Sequence, residues 1–129
     1  MIGQSIASAV VQKALDGVWQ RQKAISGNIA NYETPGYKAR KVSFEAELKK
    51  KVQSLSSEAD MQKRQAAVQD AAIRTYSDPA GAERLDGNNV NLDTENIELA
   101  RTQIQYQYLV RSMTDTISRL RYAISEGRK

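Results

Sequence analysis

The chain has no cysteine and no histidine among its 129 residues, and only two prolines, one phenylalanine and one tryptophan. Without cysteine there is no disulfide, no thiolate nucleophile and no zinc–thiolate site. Without histidine the commonest general base and metal ligand is also missing. The single Phe and Trp, with a mean hydropathy of −0.60, argue against a large globular core although 40% of the residues are hydrophobic. No apolar run approaches the roughly 18 residues that span a bilayer. The N-terminus lacks the charged and apolar regions of a cleaved leader, so that export route is not expected. At this length the chain holds at most one domain.

The net charge of +4 and pI near 9.4 are compatible with nucleic acid or membrane binding, but the charges are dispersed. The notable run, Lys49-Lys50-Lys51, reads as a solvated face near a helix C-terminus. Acid–base chemistry has Asp and Glu to draw on, yet spacing singles out no pair. The tract from Asp86 to Glu95 superficially resembles a calcium loop but lacks the ligand spacing and the Glu at loop position twelve. Trp19, near Arg21 and Lys23, reads as packing beside a helix seam rather than base stacking. No catalytic residue, cofactor, metal, nucleic acid or small-molecule substrate is therefore expected.

What the chain does have is two long helical patterns. From Ile2 to about Asn31 no Pro intervenes, and Val11, Leu15, Val18, Gln22, Ile25 and Ile29 recur in 4-3-4-3-4 spacing, a heptad seam with one polar member. Upstream, Ile2, Ile6, Ala9 and Val10 lie on a shifted stripe. Gly17 and Gly27 interrupt the helix at about 1 kcal/mol each relative to Ala, read either as weak points or as places of close helix approach. A second seam runs through Leu99, Gln103, Tyr106, Val110, Met113, Ile117, Leu120 and Ile124. Asn91 or Asp93 caps its start, Gly127 ends it, and Ile97, Ile104, Tyr108 and Leu109 widen its apolar face. Paired with each other, the helices cover one seam and leave apolar surface for neighbours.

The middle is short. Phe44, Leu48, Val52 and Leu55 predict a small helix from about Ser43, with Ser43 as its cap and Glu45 and Glu47 in its first turn. Ser56 to Asp70 is polar and at most weakly helical. Ala72 to Ser77 alternates like a strand, Asp78-Pro79-Ala80-Gly81 is a turn, and Glu83 to Asp86 is the expected returning partner. The fold class is thus mainly α: long N- and C-terminal helices pairing as an antiparallel coiled coil around a short middle region with a small helix and a possible β-hairpin. The expected division is 1–31 and 93–129 as assembly helices, 32–42 as a turn and loop, and 43–92 as a variable middle of the same unit.

The most specific string is Asn28-Ile29-Ala30-Asn31-Tyr32-Glu33-Thr34-Pro35-Gly36-Tyr37-Lys38. Pro35 disfavours helical geometry at Thr34, and Pro35-Gly36 suits the central pair of a type II turn. Asn31 suits a left-handed C-cap. As a string it resembles the signature near the N-terminus of bacterial flagellar axial proteins, the family of rod and hook subunits. Lys41-Val42-Ser43-Phe44-Glu45, the tract Asp86-Gly87-Asn88-Asn89-Val90-Asn91-Leu92-Asp93, and Glu98-Leu99-Ala100 with Gln103 and Tyr106-Gln107-Tyr108-Leu109-Val110 are similar to rod subunits in the same order. The resemblance covers both terminal thirds; the stretch from Lys49 to Ser77 shows nothing distinctive.

That resemblance implies a structural subunit of the flagellar basal body rather than an enzyme. It implies export by the flagellar type III apparatus, stacking with other rod subunits and with the basal adaptor at the MS-ring and export gate, and self-association through the terminal helices. It also implies that Phe44 and Leu48 act as an export signal of the form Phe-x-x-x-apolar, although on spacing alone they form one helix stripe. A second reading is a small soluble coiled-coil adaptor or basic helical binder with a fortuitous turn signature.

Overall fold

The computed structural model describes residues 5–55 and 60–126. Helix α1 spans Ile6–Ala30, strand β1 Arg40–Ser43, helix α2 Glu45–Ser54, helix α3 Met61–Gln69, strand β2 Arg74–Ser77 and helix α4 Leu92–Glu126. At about 1.5 Å per residue, α1 and α4 are roughly 37 and 52 Å long. Ile2, Ser56 and Gly127, which the sequence placed at element ends, lie outside the described residues.

Local chemistry sets the boundaries. The Ser5 side chain accepts the Ser8 N–H at 3.0 Å and starts α1. Asp60 does the same for α3, accepting from the Gln62 N–H at 2.8 Å, which turns the predicted weakly helical tract into a capped helix. Asn91, as expected, caps α4 through the Thr94 N–H. Two expectations need correction. Ser43 does not cap α2, because it ends β1; Phe44 occupies the cap position without a side-chain hydrogen bond. And β2 does not pair with Glu83–Asp86. It pairs antiparallel with β1, Arg40 opposite Ser77 and Ser43 opposite Arg74. Residues 83–86 are held by other bonds, described below.

α1 is the spine. On one side it packs against β1, α2 and α3 in a core of Ala9, Ala14, Val18, Val42, Phe44, Leu48, Leu55, Val68 and Ala71. On another it runs antiparallel to α4, tied at Ser8 to Met113, at Arg21 to Gln105 and at Asn28 to Glu95. The two glycines separate in role. A Cβ on Gly17 would lie 2.4 Å from Phe44 Cδ1, so the ring packs flat on the α1 backbone there. At Gly27 the nearest atom is the Tyr37 hydroxyl at 3.6 Å, ordinary contact beside an open groove.

Candidate functional site

The signature turn forms as its residues require. The Tyr37 N–H donates to the Thr34 carbonyl at 3.2 Å, and Gly36 has φ of 73°, the type II geometry that Pro35-Gly36 favours. Asn31 departs from expectation. Its φ is −103° rather than positive, and its side chain does the capping: Nδ2 donates to the Gly27 carbonyl at 2.8 Å while Oδ1 accepts from Thr34 Oγ1 at 3.0 Å. Ala30, the last residue of α1, is exposed.

What holds the turn is a tract 50 to 57 residues downstream, through a set of buried carboxamides. Asn88 is fully buried; its Nδ2 donates to the carbonyls of Asn31 at 2.9 Å and Thr34 at 2.8 Å, and its Oδ1 accepts from the Val90 N–H at 2.8 Å. Asn89 accepts the Ala39 N–H at 2.6 Å and donates to the Asp78 carbonyl, also at 2.6 Å. Gly36 N–H donates to the Asp86 carbonyl, and Asn89 N–H to that of Tyr37. Arg84 donates to the Tyr32 carbonyl and stacks its guanidinium 4.7 Å over the Tyr32 ring. This explains why 83–86 is no strand: its groups serve the turn. An asparagine presents one acceptor and two donors in a plane, so each can satisfy several backbone groups that a buried loop would otherwise leave unpaired.

Asn28 is the matching residue on α1. It is 1% exposed, with Nδ2 shared between the Arg40 carbonyl at 2.9 Å and Glu95 Oε2 at 3.1 Å, and Oδ1 accepting from Arg40 N–H at 2.8 Å. One side chain thereby fixes α1, β1 and the first turn of α4 together. Burial pushes the Glu95 carboxyl above its usual value, against the Asn28 amide and the Lys41 charge. Arg21, named in the sequence only as a neighbour of Trp19, makes a second tie. It grips both Glu45 oxygens, donates to the Val42 carbonyl at 2.8 Å and lies 5.0 Å over the Phe44 ring. Burial pushes the Glu45 carboxyl up, but the Arg21 bonds outweigh it and hold the group below its ordinary value.

Once the turn sets where α4 begins, α4 shows a division of faces. The side of α4 tied to α1 is mixed: Glu95 and Gln105 accept hydrogen bonds from Asn28 and Arg21, Met113 Sδ accepts from Ser8 Oγ, and Leu109 packs on the core. Glu95 and Thr102 are the residues of α4 that are buried. The heptad stripe read from the sequence is divided in its burial. Leu99, Met113 and Leu120 are half-buried, while Tyr106, Val110, Ile117 and Ile124 are 46, 38, 44 and 45% exposed. On α1, by contrast, Val18 and Ile25 are buried and Val11, Leu15 and Ile29 half-buried. Phe44 and Leu48 are both in the core, at 2 and 7% exposure. Trp19, expected to pack, is 59% exposed, with the Lys23 ammonium 4.7 Å over its ring.

Known proteins with this pattern agree. The profile described as "Flagella basal body rod protein" matches residues 13–38, most of α1 and the signature turn. The chain is 34% identical over 119 residues to the flagellar basal body rod protein FlgB of Bacillus subtilis (strain 168), covering 92% of each chain. It is 32% identical to the FlgB protein of Escherichia coli (strain K12) over 127 residues, 90% of this chain and 91% of that one. It is also 32% identical to that of Aeromonas hydrophila, covering 92% of both. With a profile match over the signature turn and near-complete mutual coverage of its relatives, the chain belongs to the FlgB family of flagellar basal body rod proteins.

Proposed function

We propose that the protein is a structural subunit of the proximal rod, the drive shaft at the base of the bacterial flagellum, and that it carries no enzymatic activity. It is exported through the flagellar type III apparatus, meets the basal adaptor at the MS-ring and export gate, and assembles with its own copies and with other rod subunits through its terminal helices. The segments 1–31 and 93–129 are its assembly elements, 32–42 the turn that joins them to the middle, and 43–92 the variable part of the same unit.

One observation carries this reading. The buried residues of α4 are the polar Glu95 and Thr102, while Tyr106, Val110, Ile117 and Ile124 stay exposed. A helix pair built only for its own stability would do the reverse, since burying apolar area contributes about 25 cal/mol per Å2. Contiguous exposed apolar residues of this kind mark a surface for a partner. Ile117→Asp tests it. Because Ile117 is already exposed, the change should leave the monomer's stability within about 0.5 kcal/mol of the parent. In an assembled rod it places an unpaired carboxylate in an apolar contact, at a cost of several kcal/mol per subunit. The expected outcome is a folded, secreted protein absent from purified rods and a non-motile cell, with Ser118→Asp far milder. Equal incorporation of both variants contradicts the reading.

A further inference from the structure

The small sheet has one covered edge and one open edge. The Asp78 N–H donates to the Ala39 carbonyl at 2.9 Å, in the register that sets Arg40 opposite Ser77. Opposite residues of an antiparallel pair alternate between hydrogen-bonded and non-hydrogen-bonded. Lys41–Tyr76 and Ser43–Arg74 are therefore bonded across the ladder, and Arg40–Ser77 and Val42–Thr75 are not. The main-chain groups of Arg40 and Val42 point away from β2, and α1 takes them: Asn28 binds the N–H and carbonyl of Arg40, and Arg21 the carbonyl of Val42. By the same phase, the N–H and carbonyl groups of Thr75 and Ser77 point away from β1. Both residues are exposed, and these groups have no hydrogen-bond partner among the described residues. An open edge is a template for a further strand, which folded proteins commonly blunt with lysine, proline or a cover. β2, Arg74-Thr75-Tyr76-Ser77, contains neither residue.

The surroundings of that edge are cationic. Thr75 lines a groove of about 400 Å3 together with Trp19, Lys23, Gly27, Tyr37 and Arg40. A Cβ on Gly27 would meet only the Tyr37 hydroxyl within 4 Å, so the groove has room for a side chain entering from the strand. Arg74 is on the other face of β2, because neighbours in a strand alternate. Among the described residues, none of Lys23, Arg40 and Arg74 is in an ion pair. The carboxylate next to the strand, Asp78, is held by Lys41 at 2.8 Å. Asp16 precedes Lys23 on α1 by about 10 Å of helix, too far to neutralise it.

We infer that the free edge of β2 receives an extended, acidic segment of another protein as an added strand. The segment's backbone bonds the outward groups of Thr75 and Ser77. Its side chain opposite Thr75 lies on the groove face, where a carboxylate meets Lys23 and Arg40, and the next side chain turns to the Arg74 face. In strand addition of this kind, main-chain bonds give affinity and alternate side chains give specificity. A second copy of this chain is a poor occupant, since a molecule of net charge +4 is repelled by its own basic edge. β2 belongs to neither long helix, so the inference goes beyond the rod-subunit reading and does not rest on it.

The probe is a short capped peptide of alternating valine and glutamate, titrated into the isotope-labelled full chain and followed by NMR. Saturable shifts of the Thr75 and Ser77 amides and of the Trp19 indole N–H are expected, and none with the valine–lysine counterpart. Thr75→Pro removes the outward N–H but leaves the ladder to β1 intact, because Thr75 gives that ladder no hydrogen bond. It should abolish binding in a chain whose thermal unfolding stays close to the parent's. Lys23→Glu with Arg40→Glu tests the charge without altering β2 and should weaken binding by roughly tenfold or more. Absence of saturable shifts with the acidic peptide, equal binding of the lysine counterpart, or undiminished binding by either folded variant overturns the inference. Edge amides that shift with protein concentration alone would show that copies of this chain fill the site, and would overturn it equally.

Discussion

At Gly17, one hydrogen atom decides whether the core closes. Phe44 is the single phenylalanine of the chain, 2% exposed, and its ring occupies the space a Cβ would need, 2.4 Å from Cδ1. Gly17→Ala sets two effects against each other: helix propensity favours Ala by about 1 kcal/mol, and overpacking costs about 1–3 kcal/mol. The ring has β1, α2 and Arg21 around it, so overpacking should win. We expect a net loss of about 1–2 kcal/mol in denaturant unfolding, whereas any gain would show that the ring has room to move. Glu95 makes a second residue-scale prediction. Its folded carboxyl binds a proton more readily than the unfolded chain does, burial being the main cause. Its contribution is therefore fully present below the ordinary carboxylate value and is lost as pH rises through the elevated one. Glu95→Gln keeps an acceptor for Asn28 Nδ2 and removes the charge. The variant should gain on the parent as pH is raised from about 4 to about 7, read as the difference in unfolding free energy. A difference that stays flat, or falls, would mean the carboxylate is well accommodated.

At the scale of elements, much was legible in advance and the exceptions have physical reasons. Caps and turns act within three or four residues, so Asn91, the Pro35-Gly36 turn and the extents of α1 and α4 could be read directly. β1 could not. It has four residues, one of them buried, and its partner lies more than thirty residues away, so neither alternation nor a nearby turn announces the pairing. The carboxamide clasp was likewise half-visible: the sequence set Asn88 and Asn89 in a tract similar to rod subunits, and only the fold shows that they satisfy the signature turn. Heptad arithmetic found the apolar stripe of α4, but periodicity cannot tell which stripe faces the partner helix. Element packing also bears on export. Phe44 and Leu48 are both buried between α1 and α2, so a receptor that reads them requires the chain before it folds. Phe44→Ala with Leu48→Ala should abolish secretion, while Val18→Ala, a core truncation outside the pair, should leave it intact. Normal secretion of the double variant would assign these two residues to packing alone.

On the scale of the whole molecule, the chain reconciles a modest core with a large unpartnered surface. The core gathers around one face of α1 and includes no residue of α4 among its fully buried members. α4 is anchored at its start by Asn91, Glu95 and the clasp, and along its length by Gln105, Leu109 and Met113. It exceeds α1 by ten residues, 35 against 25. Among the described residues, the antiparallel ties from Asn28–Glu95 to Ser8–Met113 run out before the last three turns of α4, where Ile117 and Ile124 are exposed. On the reading proposed above, this exposed apolar surface is what the subunit keeps for assembly. Its lack of cysteine means that one introduced thiol reports on one place. Ile117→Cys, probed with a water-soluble maleimide in the isolated monomer and again in purified rods, tests this most directly. Rapid labelling of the monomer and strong protection in the rod is the predicted result; equal labelling in both would show that the outer stripe of α4 is not where the subunits meet.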